Sequence, residues 1–88
     1  MMDVTLLLAE RGATHGKFEH NGANGQALRD TMRGAVGPGW GSLTAVQREA
    51  LDMIAGKISR ILSGQGGFAD HWDDIAGYAK LAANGGQP

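Results

Sequence analysis

Five carboxylates in two short stretches of the chain have the spacing of a shared metal site. The stretch "ADHWDDIAGYAKL" places three aspartates ahead of a small, apolar segment, and the stretch "REALD" carries a glutamate and an aspartate. Side chains three or four residues apart lie on one face of an α-helix, within reach of a single cation. Carboxylate oxygens suit Mg²⁺. The pattern therefore predicts a magnesium site formed by two helices, with five candidate ligands: Glu49, Asp52, Asp70, Asp73 and Asp74.

A structural interpretation of the same carboxylates is equally open. Asp70 and Asp73 fit a capping pair at a helix N-terminus, where negative charge is favourable by about 0.3–1 kcal/mol through the helix dipole. Glu49 and Asp52 fit the solvated face of an amphipathic helix. Only the metal site requires the two acidic faces to meet. In that case Asp52→Asn and Asp74→Asn should abolish Mg²⁺-dependent activity without lowering stability in metal-free buffer, because crowded carboxylates repel one another.

Basic, amide and aromatic side chains elsewhere in the chain suit a phosphate-bearing ligand. Cations and other hydrogen-bond donors bind phosphate oxygens, and aromatic rings stack on nucleotide bases. The candidates for these contacts are Lys17, His20, Asn21, Lys57, Arg60, Trp72 and Tyr78. The basic members could instead neutralise the carboxylates, and the aromatic ones could pack. No catalytic residue is assigned, since the sequence has neither a Ser-His-Asp pattern nor a P-loop, and its histidines lack zinc-site spacing.

Four helical segments must position these residues, and the clearest of them spans 44–63. Thr44 and Gln47 form a capping-box pattern at its start, and Gly64 provides a stop. Between them runs an apolar stripe of helical spacing, formed by Leu51, Ile54, Ile58, Ile61 and Leu62. This stripe is expected to face the core.

The other three helical segments are shorter. In the fourth, Asp70 is expected to cap the start, and a buried stripe is expected from Trp72, Ile75, Ala76 and Ala79. The first segment covers about 3–11, and the second covers 26–36 after a glycine-rich loop over 12–25. Together the segments predict an all-α fold, a small bundle of three to four helices.

The size and composition of the chain predict a small domain that associates with other copies. Its 88 residues are expected to form one domain, ordered over about 3–83, with a flexible glycine-rich tail at 84–88. Hydrophobic residues make up 42% of the chain, with only two Trp, two Phe and one Tyr, so a lone monomer has little core. A homo-oligomer is therefore expected.

Charge and hydropathy restrict the partners. The net charge of −1 lacks the basic excess of a protein that binds a nucleic-acid duplex. The apolar run "VTLLLA" is too short to cross a bilayer. The absence of cysteine is compatible with the cytosol. A soluble, intracellular protein without membrane contact is expected.

Three segments resemble a family of small proteins from tailed bacteriophages and prophages: "RGATHGKFEHNG", "LTAVQREALDMIAGKISRIL" and "DHWDDIAGYAKL". The resemblance covers roughly residues 9–82 and implies a phage accessory protein in the cytoplasm of a bacterial host. More distantly, the layout is similar to the MazG-like, all-α nucleoside triphosphate pyrophosphohydrolases. Glu49-x-x-Asp52 and Asp70-x-x-Asp73 stand in places comparable to the two acidic motifs of those enzymes. This likeness implies Mg²⁺-dependent hydrolysis of a nucleotide.

Three functions remain open from the sequence. The first is Mg²⁺-dependent pyrophosphohydrolysis of a nucleoside triphosphate, in which the metal bridges phosphates and activates a water. The second is capture of a host signalling nucleotide without turnover, as counter-defence. The third is inhibition of a host factor by protein binding, which requires an exposed apolar patch.

Overall fold

The structure of the protein is a computed structural model that describes residue 4 and residues 17–87. Over these residues the chain is all-α, without a strand, as predicted. Four helices follow one another: α1 (Phe18–Arg33), the short α2 (Gly39–Ser42), α3 (Ala45–Arg60) and α4 (Ala69–Ala83). The segment predicted to be helical over 3–11 lies outside the described residues except for its second position.

Helix α1 begins at Phe18, so the loop predicted over 12–25 is wrong for its second half. Two glycines inside the helix, Gly22 and Gly25, led to that prediction, because glycine disfavours a helix interior by about 1 kcal/mol. Gly25 is buried against α3, where a Cβ would lie 3.5 Å from the Ser59 hydroxyl. Tertiary packing thus outweighs the low helix propensity of glycine at this position.

Helix α3 begins as the sequence predicts. Thr44 is the N-cap, its hydroxyl accepts from Gln47 N at 3.1 Å, and Thr44 N donates to the Gln47 side chain at 2.9 Å. The α-helical part ends at Arg60 and continues into a π-helical turn, Ile61–Gln65. Gly64 has a φ of 114° in that turn, a conformation that glycine adopts without steric cost. The predicted stop at Gly64 is therefore the point where the helical path breaks.

Helix α4 differs from its prediction at the start. The N-cap is Phe68, without a side-chain cap, and Asp70 lies in the first turn. The prediction of Asp70 as the N-cap is wrong because the helix begins one residue before it. At the other end, the chain turns back after Ala83, and Gly86 N donates to Leu81 O at 2.8 Å.

Helix α3 is the centre of the fold and packs on both α1 and α4. The face toward α1 is small and polar, with a stripe of Asp52, Gly56, Ser59 and Ser63. The face toward α4 includes Lys57, which forms an ion pair with Asp74. The apolar stripe predicted to face the core consists of Leu51, Ile54, Ile58, Ile61 and Leu62. Its members are only half-buried, apart from Leu62, which is 63% exposed.

The predicted buried stripe of α4 is largely wrong. Trp72 is 55% exposed, and Ala76 and Ala79 are also exposed, whereas Ile75 is half-buried. The side that faces the rest of the fold instead carries His71, which is buried, and Tyr78, which is half-buried. The apolar pattern of α4 therefore points to a surface that the rest of the described chain does not cover.

Very little of the described chain is fully buried. Its buried hydrophobic residues are two alanines, Ala50 and Ala55, and its largest fully buried side chains are those of His71 and Ser59. Every larger aliphatic or aromatic side chain in this part of the chain keeps some solvent exposure. No helix in the described part is long and apolar enough to cross a membrane.

Candidate functional site

Polar side chains and two glycines pack closely between α1 and α3, at the contact that we call the α1–α3 seam: Gly25, Arg29, Arg33, Asp52, Gly56 and Arg60. Gly25 and Gly56 have no side chain, and the Arg29 guanidinium group occupies the space beside both of them. A Cβ on Gly25 would lie 3.0 Å from its Nη1, and a Cβ on Gly56 would lie 3.1 Å from its Nη2. The two glycines thus let the guanidinium group lie against the backbone of both helices.

Asp52 is held by the two arginines of α1. Its carboxylate accepts two hydrogen bonds from Arg33 Nη2, at 3.1 and 2.9 Å, and its Oδ1 lies 4.0 Å from Arg29 Nε. Arg29 Nη2 also donates to the Asp52 backbone carbonyl at 3.0 Å. Side chains with charge-assisted hydrogen bonds of this kind are fixed in orientation. The Asp52 carboxylate therefore fastens α1 to α3.

Arg60 adds a third guanidinium group to the α1–α3 seam. Its Nη1 donates to Gly56 O at 3.2 Å, and lies 3.6 Å from the point where a Gly56 Cβ would be. Arg29 Nη2 lies 3.1 Å from that same point, so the two cations are close neighbours. Arg60 Nε is buried without a hydrogen-bond partner, and Arg60 forms no ion pair with any described residue. The seam has three guanidinium groups and one carboxylate.

Asp74 of α4 is a second carboxylate that takes part in a contact between helices. Lys57 Nζ lies 2.9 Å from Asp74 Oδ2, with Lys57 largely covered and Asp74 about half exposed. This ion pair joins α3 to α4. Asp52 takes part in the contact between α1 and α3, whereas Asp74 takes part in the contact between α3 and α4. The two carboxylates therefore belong to different helix contacts.

An apolar groove lies between the first half of α3 and the second half of α4. Its volume is about 380 Å³, and it is lined by Ala45, Val46, Glu49, Ala50, Met53, Tyr78, Leu81 and Gly86. Glu49 is the one charged residue of that lining, it is exposed, and it has no ion pair among the residues the structure describes. The groove presents an apolar floor and a single free carboxylate.

The five carboxylates predicted as metal ligands are not brought together. Asp52 binds arginines, Asp74 binds a lysine, Glu49 lies at the groove, and Asp70 and Asp73 are exposed on α4. The described residues contain no group of three or more His, Cys, Asp or Glu that could hold a metal ion. The magnesium site stays a prediction, and its spacing argument gains no geometric support.

The predicted ligand-binding residues are spread over the molecule. Lys17 and His20 are exposed near the start of α1, and the Asn21 side chain contacts the Ser59 hydroxyl. Trp72 Nε1 donates to Gly66 O at 2.8 Å, and Tyr78 lines the groove. Lys57 pairs with Asp74 of α4, whereas Arg60 belongs to the α1–α3 seam.

Arg29 and Arg33 are the residues of the α1–α3 seam that sequence reasoning missed. Their spacing of four places them on one face of a helix, and this signal was available in the sequence. Arg33 also lies over Trp40, 5.4 Å from the ring centroid, so it connects α1, α2 and α3.

Comparison with known proteins finds no matching family model, no matching curated protein and no matching solved structure.

Proposed function

We propose that the protein is a small accessory protein that acts by binding another protein, with the groove between α3 and α4 as its docking site. One observation carries this proposal: apart from two alanines, the described chain fully buries no hydrophobic side chain, yet it leaves an apolar groove open. Burial of apolar surface is the main driving force of protein association. A partner segment supplies the burial that the described helices do not supply to one another.

The lining of the groove defines the chemistry of the partner segment. Apolar residues of α3 and α4 form its walls, so the partner presents an apolar face, as an amphipathic helix does. The unpaired Glu49 carboxylate favours a lysine or arginine beside that face. The resemblance of three segments to phage proteins supports a protein of the bacterial host as the target.

A designed helical peptide of leucine and lysine tests the docking site, with a leucine and glutamate peptide of the same pattern as its control. We expect the lysine peptide to shift the amide resonances of Ala50, Met53 and Tyr78 saturably, and the glutamate peptide to bind at least about tenfold more weakly. Val46→Asp places a charge in the groove and should weaken binding by a similar factor.

The matched control is Val36→Asp, which makes the same change at a fully exposed valine outside the groove. It should leave peptide affinity unchanged. Equal affinities of the two variants, or resonance shifts that avoid the groove, would exclude this docking site.

A second candidate function, capture of a nucleotide, is favoured by the α1–α3 seam. Arg29 and Arg60 lie side by side over Gly56, and Arg60 has an unused, buried donor at Nε. Adjacent guanidinium groups bind the oxygens of a phosphate group. A phosphate-bearing ligand would offset the excess positive charge of the seam.

Calorimetry with linear and cyclic nucleotides, with and without Mg²⁺, tests this second candidate. Arg60→Gln should lower nucleotide affinity at least about tenfold, because it removes a charged donor. Arg48→Gln, at a residue outside the seam, should not. Intact nucleotide recovered after denaturation supports capture, whereas Mg²⁺-dependent products that disappear in Asp52→Asn support the pyrophosphohydrolase. Absence of any nucleotide binding would reject both.

A further inference from the structure

Helix α4 carries an apolar face that no other described element covers. We call it the outer face of α4, and it consists of Trp72, Ala76, Ala79 and Ala83, all exposed and spaced by four, three and four residues. This spacing places the four side chains in one straight stripe along the helix. Trp72 is 55% exposed although its indole is anchored by the hydrogen bond to Gly66 O. A large aromatic ring is therefore held in place on the surface.

Two opposite charges lie along one edge of this face. Asp73 and Lys80 are seven residues apart, which is about two helical turns, so they share one side of α4. Both are exposed, and neither forms an ion pair with another described residue. Each charge is therefore available to a partner that lies against the outer face.

We propose that the outer face of α4 binds the outer face of a second copy of this chain, with the two helices antiparallel about a two-fold axis. An axis between Ala76 and Gly77 places Asp73 of each copy opposite Lys80 of the other, at the same height and on the same side. The two-fold axis therefore forms two Asp73–Lys80 ion pairs, in which each of the four edge charges is paired once. A parallel pair would instead place identical charges at equal heights.

The small side chains of the outer face suit this arrangement. Three alanines allow the backbones of two helices to approach closely, at the short end of the usual 8–10 Å range. In the antiparallel pair, Trp72 of one copy lies at the height between Ala79 and Ala83 of the other, where the ring finds an apolar surface. The contact is self-complementary, as a two-fold interface must be.

This dimer goes beyond the proposed function, since it uses a different surface. Tyr78 and Leu81, which line the groove, do not belong to the outer face. A dimer formed through the outer face therefore leaves the groove open. A negative result for the groove as a docking site leaves the dimer proposal intact, and a negative result for the dimer leaves the groove proposal intact.

Charge reversal at the two edge residues tests the dimer by sedimentation velocity over a range of protein concentrations. Asp73→Lys and Lys80→Asp should each raise the dimer dissociation constant at least about tenfold, because each change makes two repulsive pairs. An equimolar mixture of the two variants should form a 1:1 heterodimer, since every pair is then attractive. The double variant in one chain should also dimerise like the wild type.

Asp30→Lys is the matched control, because Asp30 is an exposed aspartate of α1 with no ion pair in the described part of the chain. It should dimerise like the wild type. Both edge residues are exposed, so circular dichroism should show unchanged helix content in all variants. A wild-type chain that stays monomeric, a mixture that stays monomeric, or equal effects of Asp73→Lys and Asp30→Lys would overturn the proposal.

Discussion

Arg29 shows how a single side chain can determine the distance between two helices. Its guanidinium group lies between Gly25 of its own helix and Gly56 of α3, and donates to the Asp52 carbonyl. Neither glycine is needed for a turn, because both lie inside helices. They are needed because the arginine fills the volume that a Cβ would take.

Gly56→Ala should destabilise the fold. The new Cβ would lie 3.1 Å from Arg29 Nη2, so the guanidinium group must shift by a few tenths of an ångström although it is held by its hydrogen bond to the Asp52 carbonyl. Overpacking costs about 1–3 kcal/mol, and the better helix propensity of alanine returns about 1 kcal/mol. We expect a net loss of about 1 kcal/mol in the free energy of unfolding, measured by urea denaturation.

Gly77→Ala is the control for that measurement. Gly77 lies inside α4, is exposed, and has open space where its Cβ would be. Only helix propensity changes there, so the variant should gain about 0.5–1 kcal/mol. Equal changes in both variants would mean that Arg29 does not occupy the space beside Gly56.

Asp52→Asn should lower stability, contrary to the expectation from crowded carboxylates. Asp52 has arginines as neighbours, and its side chain is 21% exposed while that of Arg33 is 48% exposed. For an ion pair with this much solvent contact, a loss of about 0.5–1 kcal/mol is expected. The loss should shrink in 1 M salt, which screens charges. Asp30→Asn should change nothing, and equal melting temperatures of both variants would contradict the ion pair.

At the scale of the helices, some first turns are fixed by hydrogen bonds between neighbouring residues, whereas others depend on packing against the rest of the fold. The first turn of α3 is fixed by reciprocal hydrogen bonds between Thr44 and Gln47, which the sequence alone predicts. The first turn of α4 has no side-chain cap. Its position depends on contacts with the rest of the fold.

Thr44→Ala and Asp70→Ala should therefore differ in cost. Loss of the Thr44 cap leaves the Gln47 N–H without its acceptor and should cost about 1 kcal/mol. Asp70 lies in a first turn without capping, so its removal should cost about 0.3–1 kcal/mol through the helix dipole alone. Thermal denaturation of both variants measures the difference. A larger loss for Asp70→Ala than for Thr44→Ala would restore Asp70 as the cap.

Periodicity predicted α3, α4 and the second half of α1 as helical, but it predicted neither the short α2 nor which faces pack. The stripe of Trp72, Ala76 and Ala79 is a true apolar face, and the sequence cannot tell whether its partner is the same chain or another one. The start of α1 was missed because its glycines are explained only by the close approach of α3. The ion-pair partners of Asp52, Arg29 and Arg33, were missed for the same reason, since both lie on α1.

At the scale of the whole molecule, the scarcity of large buried side chains among the described residues leads us to expect that association contributes to stability. A folded dimer gains stability with concentration by mass action, whereas a monomer does not. We expect the melting temperature of the wild type to rise by a few degrees for each tenfold increase in protein concentration, as measured by calorimetry. Asp73→Lys should lose this dependence. A concentration-independent melting temperature of the wild type would contradict an association that contributes to stability.

The central position of α3 also has a consequence for the speed and order of folding. The larger contacts of the described chain join α3 and its π-helical turn to α1, and α3 to α4, whereas α1 and α4 have no large contact with each other. Chains dominated by such local contacts fold in microseconds to milliseconds. Since α1 and α4 dock on different faces of α3, either helix can dock before the other. A weakened α1–α3 contact should therefore speed the opening of α1 in hydrogen exchange while the α3–α4 pair stays protected.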